Sequence, residues 1–159
     1  MEKEILSREL CKAFSDYLKE KEGRFTQERA AIINGIASCE IHFTLEDVKQ
    51  ALEEQHFRVS QATLYNTLNE LVSAGFVTRF LVKERAFYEV SFQKAYHCHQ
   101  VCTNCGKITE FKNAELDVMI KDQKYKRFTY SDYTLMVYGI CSVCKAQLKR
   151  ANRMKNTKK

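Results

Sequence analysis

The chain lacks the sequence features that mark membrane, secreted and linker-rich proteins. No run of apolar residues approaches the ~18 residues of a membrane-spanning helix, and the charged N-terminal stretch MEKEILSREL has no apolar signal-peptide core. The sequence also contains no proline, no low-complexity linker and no internal repeat. We therefore expect a cytoplasmic protein, and 159 residues with 45% hydrophobic side chains suffice for one ordinary domain or two small ones.

Seven cysteines distinguish the composition. In a cytoplasmic protein they are more naturally metal ligands or free thiols than a disulfide framework. Charge is distributed unevenly. Residues 1–90 contain 12 basic residues (Lys and Arg) and 15 acidic residues (Asp and Glu), whereas residues 91–159 contain 14 basic and 5 acidic residues. The net charge of +6 suggests a polyanionic partner, but part of the basic excess lies in the C-terminal KRANRMKNTKK, which we expect to be a solvated tail.

Hydrophobic periodicity predicts four helices followed by a β-hairpin in the first ninety residues. Thr26, Thr44 and Ser60 are suitable N-caps for the second, third and fourth helices. Gly75 follows the fourth helix, and the β-rich runs FVTRFLV and AFYEVSF then flank a charged turn. Three helices and a two-stranded wing make a winged helix-turn-helix, here with an additional N-terminal helix.

The helix that begins after Ser60 is the candidate recognition helix. Its leucines form one apolar face, and the opposite face carries small polar side chains. Recognition helices read base edges mainly with their N-terminal residues, which here are Gln61, Thr63, Tyr65 and Asn66. The candidate phosphate contacts are Arg24, Arg29, Arg58, Lys83 and Arg85. The alternative is an ordinary amphipathic helix with a solvated polar face, and the acidic balance of this half argues for that alternative.

Two C-x-x-C pairs provide the strongest chemical signal. Cys102 and Cys105 form the first pair; Cys141 and Cys144 form the second, with 35 residues between the pairs. Such pairs in a cytoplasmic chain predict a closed, tetrahedral four-cysteine zinc site, and the alternative is four buried or redox-active thiols. The gap exceeds that of a compact zinc ribbon. We therefore expect strands in ITEFK and YTLMVYGI and a short helix in NAELDVMIKDQKYK.

Two histidines precede the first cysteine pair. His97 and His99 are two residues apart, so on a strand they lie on one face. Neutral imidazoles together with carboxylates suit a first-row divalent ion in a more open geometry than a four-thiolate site. The candidate partners are His42, Glu89 and Glu110. Because these residues are scattered along the chain, spacing alone leaves open that the two histidines are simply polar residues at a strand edge.

Taken together, these segments resemble the ferric uptake regulator (Fur) family of bacterial metal-dependent transcription factors, over roughly residues 5–148. The matching segments are RFTQER, HFTLEDV, SQATLYNTL, HCHQVCTNCGKITEF and YGICSVC, and their joint order and spacing are specific. The resemblance implies a homodimer whose N-terminal winged helices bind a palindromic operator and whose C-terminal domains form the interface. It implies a zinc site at Cys102, Cys105, Cys141 and Cys144. It also implies a regulatory metal site at His42, Glu89, His97, His99 and Glu110.

We accordingly expect an α+β protein with three parts: a winged-helix DNA-binding domain over 1–91, a small α/β dimerisation and metal-binding domain over 95–150, and a basic flexible tail over 151–159. The expected function is metal-responsive repression of metal-uptake or homeostasis genes. Fe²⁺ is the first expectation for the regulatory metal, with Zn²⁺ and Mn²⁺ as the others. The alternatives are a peroxide- or haem-responsive member of the same family, or a zinc-containing nucleic-acid-binding module that senses nothing.

An enzyme is the least favoured class. It would need a zinc ion with an open position and an acid or base beside it. Nucleobase deaminases combine H-x-E with P-C-x-x-C, whereas this chain has H-x-H and no proline. We expect no small-molecule substrate and no membrane association.

The chain departs from the family pattern in two respects. Asn66 stands where a basic residue commonly follows the recognition-helix tyrosine, which would favour adenine over guanine or phosphate contacts. Many relatives also carry an auxiliary metal site in the dimerisation domain, whose positions here are Tyr96, Cys98, Asp117 and Tyr133. Only Asp117 keeps suitable chemistry, since an unperturbed tyrosine ionises near ~10. We predict one regulatory ion per chain, with the auxiliary position empty or filled by packed aromatic side chains.

Overall fold

The computed structural model describes residues 2–92, 98–129 and 133–156, and it divides the chain into two compact units, Met1–Lys94 and Ala95–Lys159. The first unit contains four helices and a two-stranded sheet: α1 (Glu2–Glu20), α2 (Gln27–Ser38), α3 (Leu45–Glu54), α4 (Gln61–Ser73), β1 (Val77–Val82) and β2 (Arg85–Val90). The second unit contains β3 (Cys98–Cys102), β4 (Ile108–Phe111), α5 (Ala114–Asp122), β5 (Leu135–Gly139) and α6 (Ser142–Asn156). None of the described helices is both long and apolar enough to cross a bilayer.

The helices of the first unit begin where the capping residues predict. The Thr26 and Ser60 side chains accept hydrogen bonds from the backbone N–H groups of Arg29 and Thr63. Thr44 forms a complete capping box, because the Asp47 carboxylate also accepts the Thr44 backbone N–H at 2.7 Å. The three predicted caps are confirmed, and they fix the starts of α2, α3 and α4.

The apolar faces of α1 to α4 pack into one core. Its fully buried members include Phe14 of α1, Ile33 of α2, Val48 of α3 and Leu68 of α4. Burying one such side chain is worth about 1.5–3 kcal/mol. This core positions α4 with its polar face outward.

The β1–β2 hairpin forms the wing. Its two turn residues, Lys83 and Glu84, both have positive φ, at 48° and 66°, as a two-residue hairpin turn requires. β2 also bridges the segment before α3, because Phe43 and Tyr88 exchange backbone hydrogen bonds of 3.0 and 2.7 Å. That bridge brings the neighbouring positions 42 and 89 together.

In the second unit, β3 lies at the centre of a three-stranded sheet with the order β4-β3-β5. β4 pairs antiparallel to β3 and β5 pairs parallel to it. The crossover from β4 to β5 contains α5, which begins at its cap Asn113. The register places Cys102 at the end of β3 opposite Gly139 at the end of β5.

Two sequence predictions for this unit were wrong in extent. The helix predicted over 113–126 ends at Asp122. The basic segment 151–159 was predicted as a flexible tail, but α6 continues through Asn156. Residues 142–156 contain no glycine or proline and several good helix formers, among them Lys, Arg, Ala, Gln and Leu, so nothing in the sequence stops the helix earlier.

Candidate metal centres and nucleic-acid interface

The two C-x-x-C pairs lie at the same end of the β3–β5 sheet. Cys102 ends β3, and the turn after it closes through hydrogen bonds from Gly106 N to Cys102 O at 2.8 Å and from Cys102 N to Lys107 O at 2.9 Å. Gly106 adopts φ +77°, a conformation that glycine supplies without strain. Cys141 precedes α6 and Cys144 lies in its first turn. Sheet register and helix start therefore bring both pairs together.

The four cysteine side chains have the geometry of a tetrahedral metal site. Their sulphur atoms all lie within 4.8 Å of one another, and those of Cys105 and Cys141 are 3.9 Å apart. A tetrahedral site with Zn–S bonds of ~2.3 Å places its sulphurs ~3.8 Å apart, whereas a disulfide requires ~2.05 Å. All four thiols are free. The site fits an ion such as zinc that is bound by four thiolates with no open position.

The acidity of the thiols supports the same interpretation. Hydrogen bonds from the backbone N–H groups of Cys105 and Cys141 lower the pKa of the Cys102 thiol to about 6. A hydrogen bond from the Asn104 side chain acts to lower the pKa of Cys144, but the Cys141 thiol and burial outweigh it and raise that pKa to about 11. Without a cation, the crowded thiols cannot all ionise. A bound divalent ion would supply the charge that stabilises four thiolates.

Two candidate ligands of the regulatory metal, His42 and Glu89, lie close together in the first unit. His42 Nε2 lies 3.7 Å from Glu89 Oε2, and the two side chains are only 12% and 3% exposed. The His42 ring also meets the Phe80 ring edge-on, with centroids 5.8 Å apart. Burying an ionised carboxylate is unfavourable unless it is paired or hydrogen-bonded, and a cation bound by the imidazole and carboxylate of this pair would stabilise the charged form.

The second unit brings together another predicted ligand pair. His99 on β3 is directly opposite Glu110 on β4 in the antiparallel register. Opposed residues have Cβ atoms ~4.5–5.5 Å apart and side chains on one face. His97, the remaining predicted ligand, lies outside the described residues. Each unit thus presents an imidazole next to a carboxylate.

The predicted auxiliary position is occupied by protein groups. Tyr133 donates a hydrogen bond to Asp117 Oδ1 at 2.9 Å, and Lys121 Nζ lies 2.7 Å from Asp117 Oδ2. Hydrogen bonds from Lys121 and from Tyr133 lower the pKa of the Asp117 carboxyl despite partial burial. Burial and the nearby Asp117 charge raise the pKa of the Cys98 thiol, which disfavours a thiolate ligand there. Tyr96 lies outside the described residues.

The candidate reading residues lie on the outer face of α4. Gln61, Tyr65 and Asn66 are exposed, with Tyr65 52% exposed. Thr63 is half-buried instead, and its hydroxyl lies 2.8 Å from the Ser60 hydroxyl at the helix cap. The exposed side chains at the first two turns of α4 form a polar surface suited to base edges.

The candidate phosphate contacts divide into two groups. Arg24, Arg58, Lys83 and Arg85 are exposed. Arg29 is not: its Nη2 lies 2.8 Å from Glu70 Oε2, and its side chain is 19% exposed. Arg29 therefore forms an ion pair within the protein and is not exposed in the way that the other four are.

Three residues in these sites escaped the sequence analysis. Lys121 could have been found, because it follows Asp117 by four residues on a predicted helix. Glu70 could not, since its partner Arg29 is 41 residues away. Asn104, which hydrogen-bonds to Cys144, lies inside the first C-x-x-C pair at a position that carries no signal of its own.

Known proteins share both the fold and the motifs. A family model described as "Ferric uptake regulator family" matches residues 20–138. The ferric uptake regulation protein of Neisseria meningitidis is 34% identical over 114 residues, which cover 70% of this chain and 78% of that protein. The peroxide operon regulator of Bacillus subtilis is 34% identical over 132 residues, covering 80% and 88%. A structure of the ferric uptake regulator from Pseudomonas aeruginosa with manganese aligns with a TM-score of 0.69 and 29% identity, covering 80% of this chain and 97% of that one.

A winged-helix unit followed by a sheet with a four-cysteine metal site defines a class of DNA-binding, metal-binding transcription regulators, which are not enzymes. Within that class, the chain belongs to the ferric uptake regulator family. The resemblance and the α+β fold expected from the sequence are confirmed.

Proposed function

We propose that the chain is a repressor of bacterial metal-uptake or homeostasis genes that acts in the cytoplasm as a homodimer on a palindromic operator. It binds the operator when a divalent metal, Fe²⁺ before Zn²⁺ or Mn²⁺, occupies a regulatory site formed by His42, Glu89, His97, His99 and Glu110. The observation that carries this proposal is the pairing of expected ligands within each unit, His42 with Glu89 and His99 with Glu110.

The mechanism follows from the distribution of the ligands. Two of them belong to the DNA-binding unit and three to the dimerisation unit. A metal that takes ligands from both units favours the arrangement of the chain in which both units bind the same ion. In a dimer, that arrangement sets the separation of the two reading helices. The metal can shift the equilibrium only by its differential affinity for that arrangement, typically ~1–3 kcal/mol of coupling.

Cys102, Cys105, Cys141 and Cys144 are proposed to hold a structural zinc. When bound, zinc supplies the positive charge that stabilises the thiolates. The residues themselves tie the turn after β3 to the start of α6. Because this link joins segments distant in sequence, metal binding contributes to the folding free energy of the second unit.

The homodimer is supported by exposed apolar side chains on the second unit. The edge strand β5 exposes Val137 and Tyr138 by 46% and 55%, and α5 exposes Met119 by 70%. Apolar groups of this size next to an open strand edge suit association with a second copy of the chain.

On the DNA, we assign base reading to Gln61, Tyr65 and Asn66, with Thr63 as a residue that also stabilises the helix cap. Arg24, Lys83 and Arg85 are assigned to phosphates, because they are exposed and cationic.

The decisive experiment measures operator binding without oxygen in the presence of Fe²⁺, Mn²⁺, Zn²⁺, haem or no added metal, with the bound metal quantified in each sample. We expect tighter binding with one divalent ion than without it, by about 5- to 150-fold. His99→Ala should abolish that gain while leaving the zinc content near one per chain. His56→Asn is the matched control, because His56 is exposed and its φ of 55° is one that Asn tolerates. Equal operator binding with and without metal, in a zinc-loaded protein, would favour a non-sensing module.

A peroxide-responsive regulator is the second candidate, because the peroxide operon regulator of Bacillus subtilis matches at the same 34% identity as the ferric uptake regulation protein. Glu89 favours uptake regulation, since peroxide sensors tend to place Asp at this position. Stoichiometric peroxide added to the Fe²⁺-loaded protein separates the two: a peroxide sensor loses operator binding irreversibly, whereas the Mn²⁺-loaded form keeps it.

A further inference from the structure

Arg29 joins three helices of the DNA-binding unit. Its Nη2 lies 2.9 Å from Oε1 and 2.8 Å from Oε2 of Glu70 on α4. Its guanidinium carbon also lies 5.7 Å from the ring centroid of Phe14 on α1, a fully buried side chain. One side chain of α2 is thus fixed by an acidic group on the recognition helix and by an aromatic ring of the core.

This arrangement leaves Arg29 poorly placed to contact DNA directly. Its side chain is 19% exposed, and its Nη1 atom is buried without a hydrogen-bond partner in the described part of the chain. To reach a phosphate, the guanidinium would have to leave both Glu70 and the Phe14 ring. Arg24, by contrast, is exposed.

Glu70 gives the pair its significance for recognition. It is the one acidic residue of α4 and follows Asn66 by four residues, so the two side chains lie one turn apart on the same helix face. The Glu70 side chain is 40% exposed. A carboxylate so placed would repel the phosphates of a bound duplex unless its charge were compensated.

We propose that Arg29 is a positioning residue for the recognition helix. Through Glu70 it fixes the rotation of α4, and with it the direction of Asn66, and it cancels a negative charge that would otherwise face the DNA. This assignment rests on the proposed DNA-binding function and replaces the direct phosphate contact expected from the sequence.

The test compares binding to two duplexes, a palindrome selected by the Mn²⁺-loaded wild-type dimer from a random library and an unrelated sequence of equal length, at several salt concentrations. The variants are Arg29→Met, Glu70→Gln, the double variant, and Arg24→Met as the matched arginine control. Arg29→Met should lower the preference for the selected palindrome roughly tenfold, the size of one weakened base contact. Adding Glu70→Gln to it should recover the part of the loss that is common to both duplexes, because the uncompensated carboxylate is then gone. The preference for the palindrome should stay lowered, because the ion pair is still absent.

Arg24→Met should instead weaken binding to both duplexes alike and reduce the salt dependence by about one counterion. If Arg29→Met instead weakens binding to both duplexes alike, and the double variant does not recover that binding, the proposal is overturned. Arg29 would then be assigned to a phosphate contact, as the sequence predicted. Preference unchanged in Arg29→Met would overturn it as well.

Binding is measured below the melting transition of each variant, followed by circular dichroism. If Arg29→Met does not fold, Glu70→Gln alone still decides. It frees the Arg29 charge, so a phosphate contact predicts unchanged or tighter binding to both duplexes, which would refute positioning. The positioning role predicts a lower preference for the palindrome. A wild-type dimer that selects no sequence from the library overturns the proposed function itself, a result distinct from any of these.

Discussion

The two units of the chain bury different kinds of side chain. The first unit surrounds Phe14, Ile33 and Leu68 with aliphatic and aromatic neighbours from all four helices. In the described part of the second unit, the buried side chains are Cys98, His99, Val101, Cys102 and Cys144, and α5 has none. Large apolar groups of the second unit, such as Met119, Phe128 and Val143, are instead 63–70% exposed.

This difference indicates that the units gain stability from different sources. The first has a continuous apolar core of the kind that offsets the loss of chain entropy on folding. The second is small and has no such core among its described residues, and domains of that kind usually depend on a metal, on disulfides or on another subunit. Its cysteines are free and several of its large apolar side chains are exposed, so the proposed thiolate-bound metal and the proposed second copy are the sources of stability that we infer for it.

The largest effect should come from removing the structural metal. Cys141→Ser should release the bound zinc and unfold the second unit, because structural zinc sites contribute about 10–16 kcal/mol of apparent binding free energy to folding. Hydrogen exchange read segment by segment should show β3, β5 and α6 losing protection while α2 and α4 keep theirs. Cys39→Ala, a half-buried thiol of the first unit, is the control. A Cys141→Ser protein that keeps both its fold and its dimeric state would contradict the inference that the second unit depends on a bound metal for its stability.

A substitution in the core of the first unit should destabilise that unit and leave the second unit unchanged. Leu68 is fully buried at the centre of α4, so Leu68→Ala should lower the free energy of unfolding of the first unit by about 2–5 kcal/mol. Zinc content and dimerisation should remain unchanged. Chemical denaturation of the wild-type and variant proteins measures the first quantity, and metal analysis measures the second. Loss of zinc on this substitution would mean that the two units do not fold independently.

The reading surface of the first unit should affect selectivity without affecting stability. Tyr65→Ala and Asn66→Ala should each reduce the preference for operator over random DNA by ~1–3 kcal/mol, since both side chains are exposed and contribute little to the core. Lys83→Ala should weaken binding to all sequences alike. Competition binding with the two kinds of duplex measures this, and unchanged selectivity in both helix variants would point to another reading surface.

Local sequence signals were sufficient for most of the first unit. The caps Thr26, Thr44 and Ser60 and the apolar periodicity each depend on neighbours within one or two turns, so the sequence displays them directly. The four-cysteine site was equally visible, because each pair is a local turn and only the pairing of the two had to be inferred. The Arg29–Glu70 ion pair was not visible, since it joins residues that only the packed helices bring together.

The second unit was harder to predict for a related reason. Apart from Cys144, the side chains of α6 that the structure describes are exposed, so the helix has no buried stripe to reveal it, and its basic composition resembled a solvated tail. The regulatory ligands could be grouped only by resemblance, since His42, Glu89 and Glu110 come from different elements.

The smallest expected effect concerns Asp117, where protein groups occupy the auxiliary position. Both of its oxygens have partners, Tyr133 at 2.9 Å and Lys121 at 2.7 Å, so a divalent ion would have to displace an ammonium group and a phenol. Tyr133→Phe should therefore lower the stability of the second unit by only about 0.5–1.5 kcal/mol and leave the metal content at one zinc and one regulatory ion per chain. The double change Lys121→Ala with Tyr133→His removes the competing cation and supplies an imidazole, so it should allow a further ion to bind beside Asp117. Metal analysis together with diffraction at a metal absorption edge measures both. A fully occupied third metal at Cys98 or Tyr133 in the unmodified chain would show that Lys121 does not exclude the ion, and that the second unit has a metal source of stability beyond its cysteines.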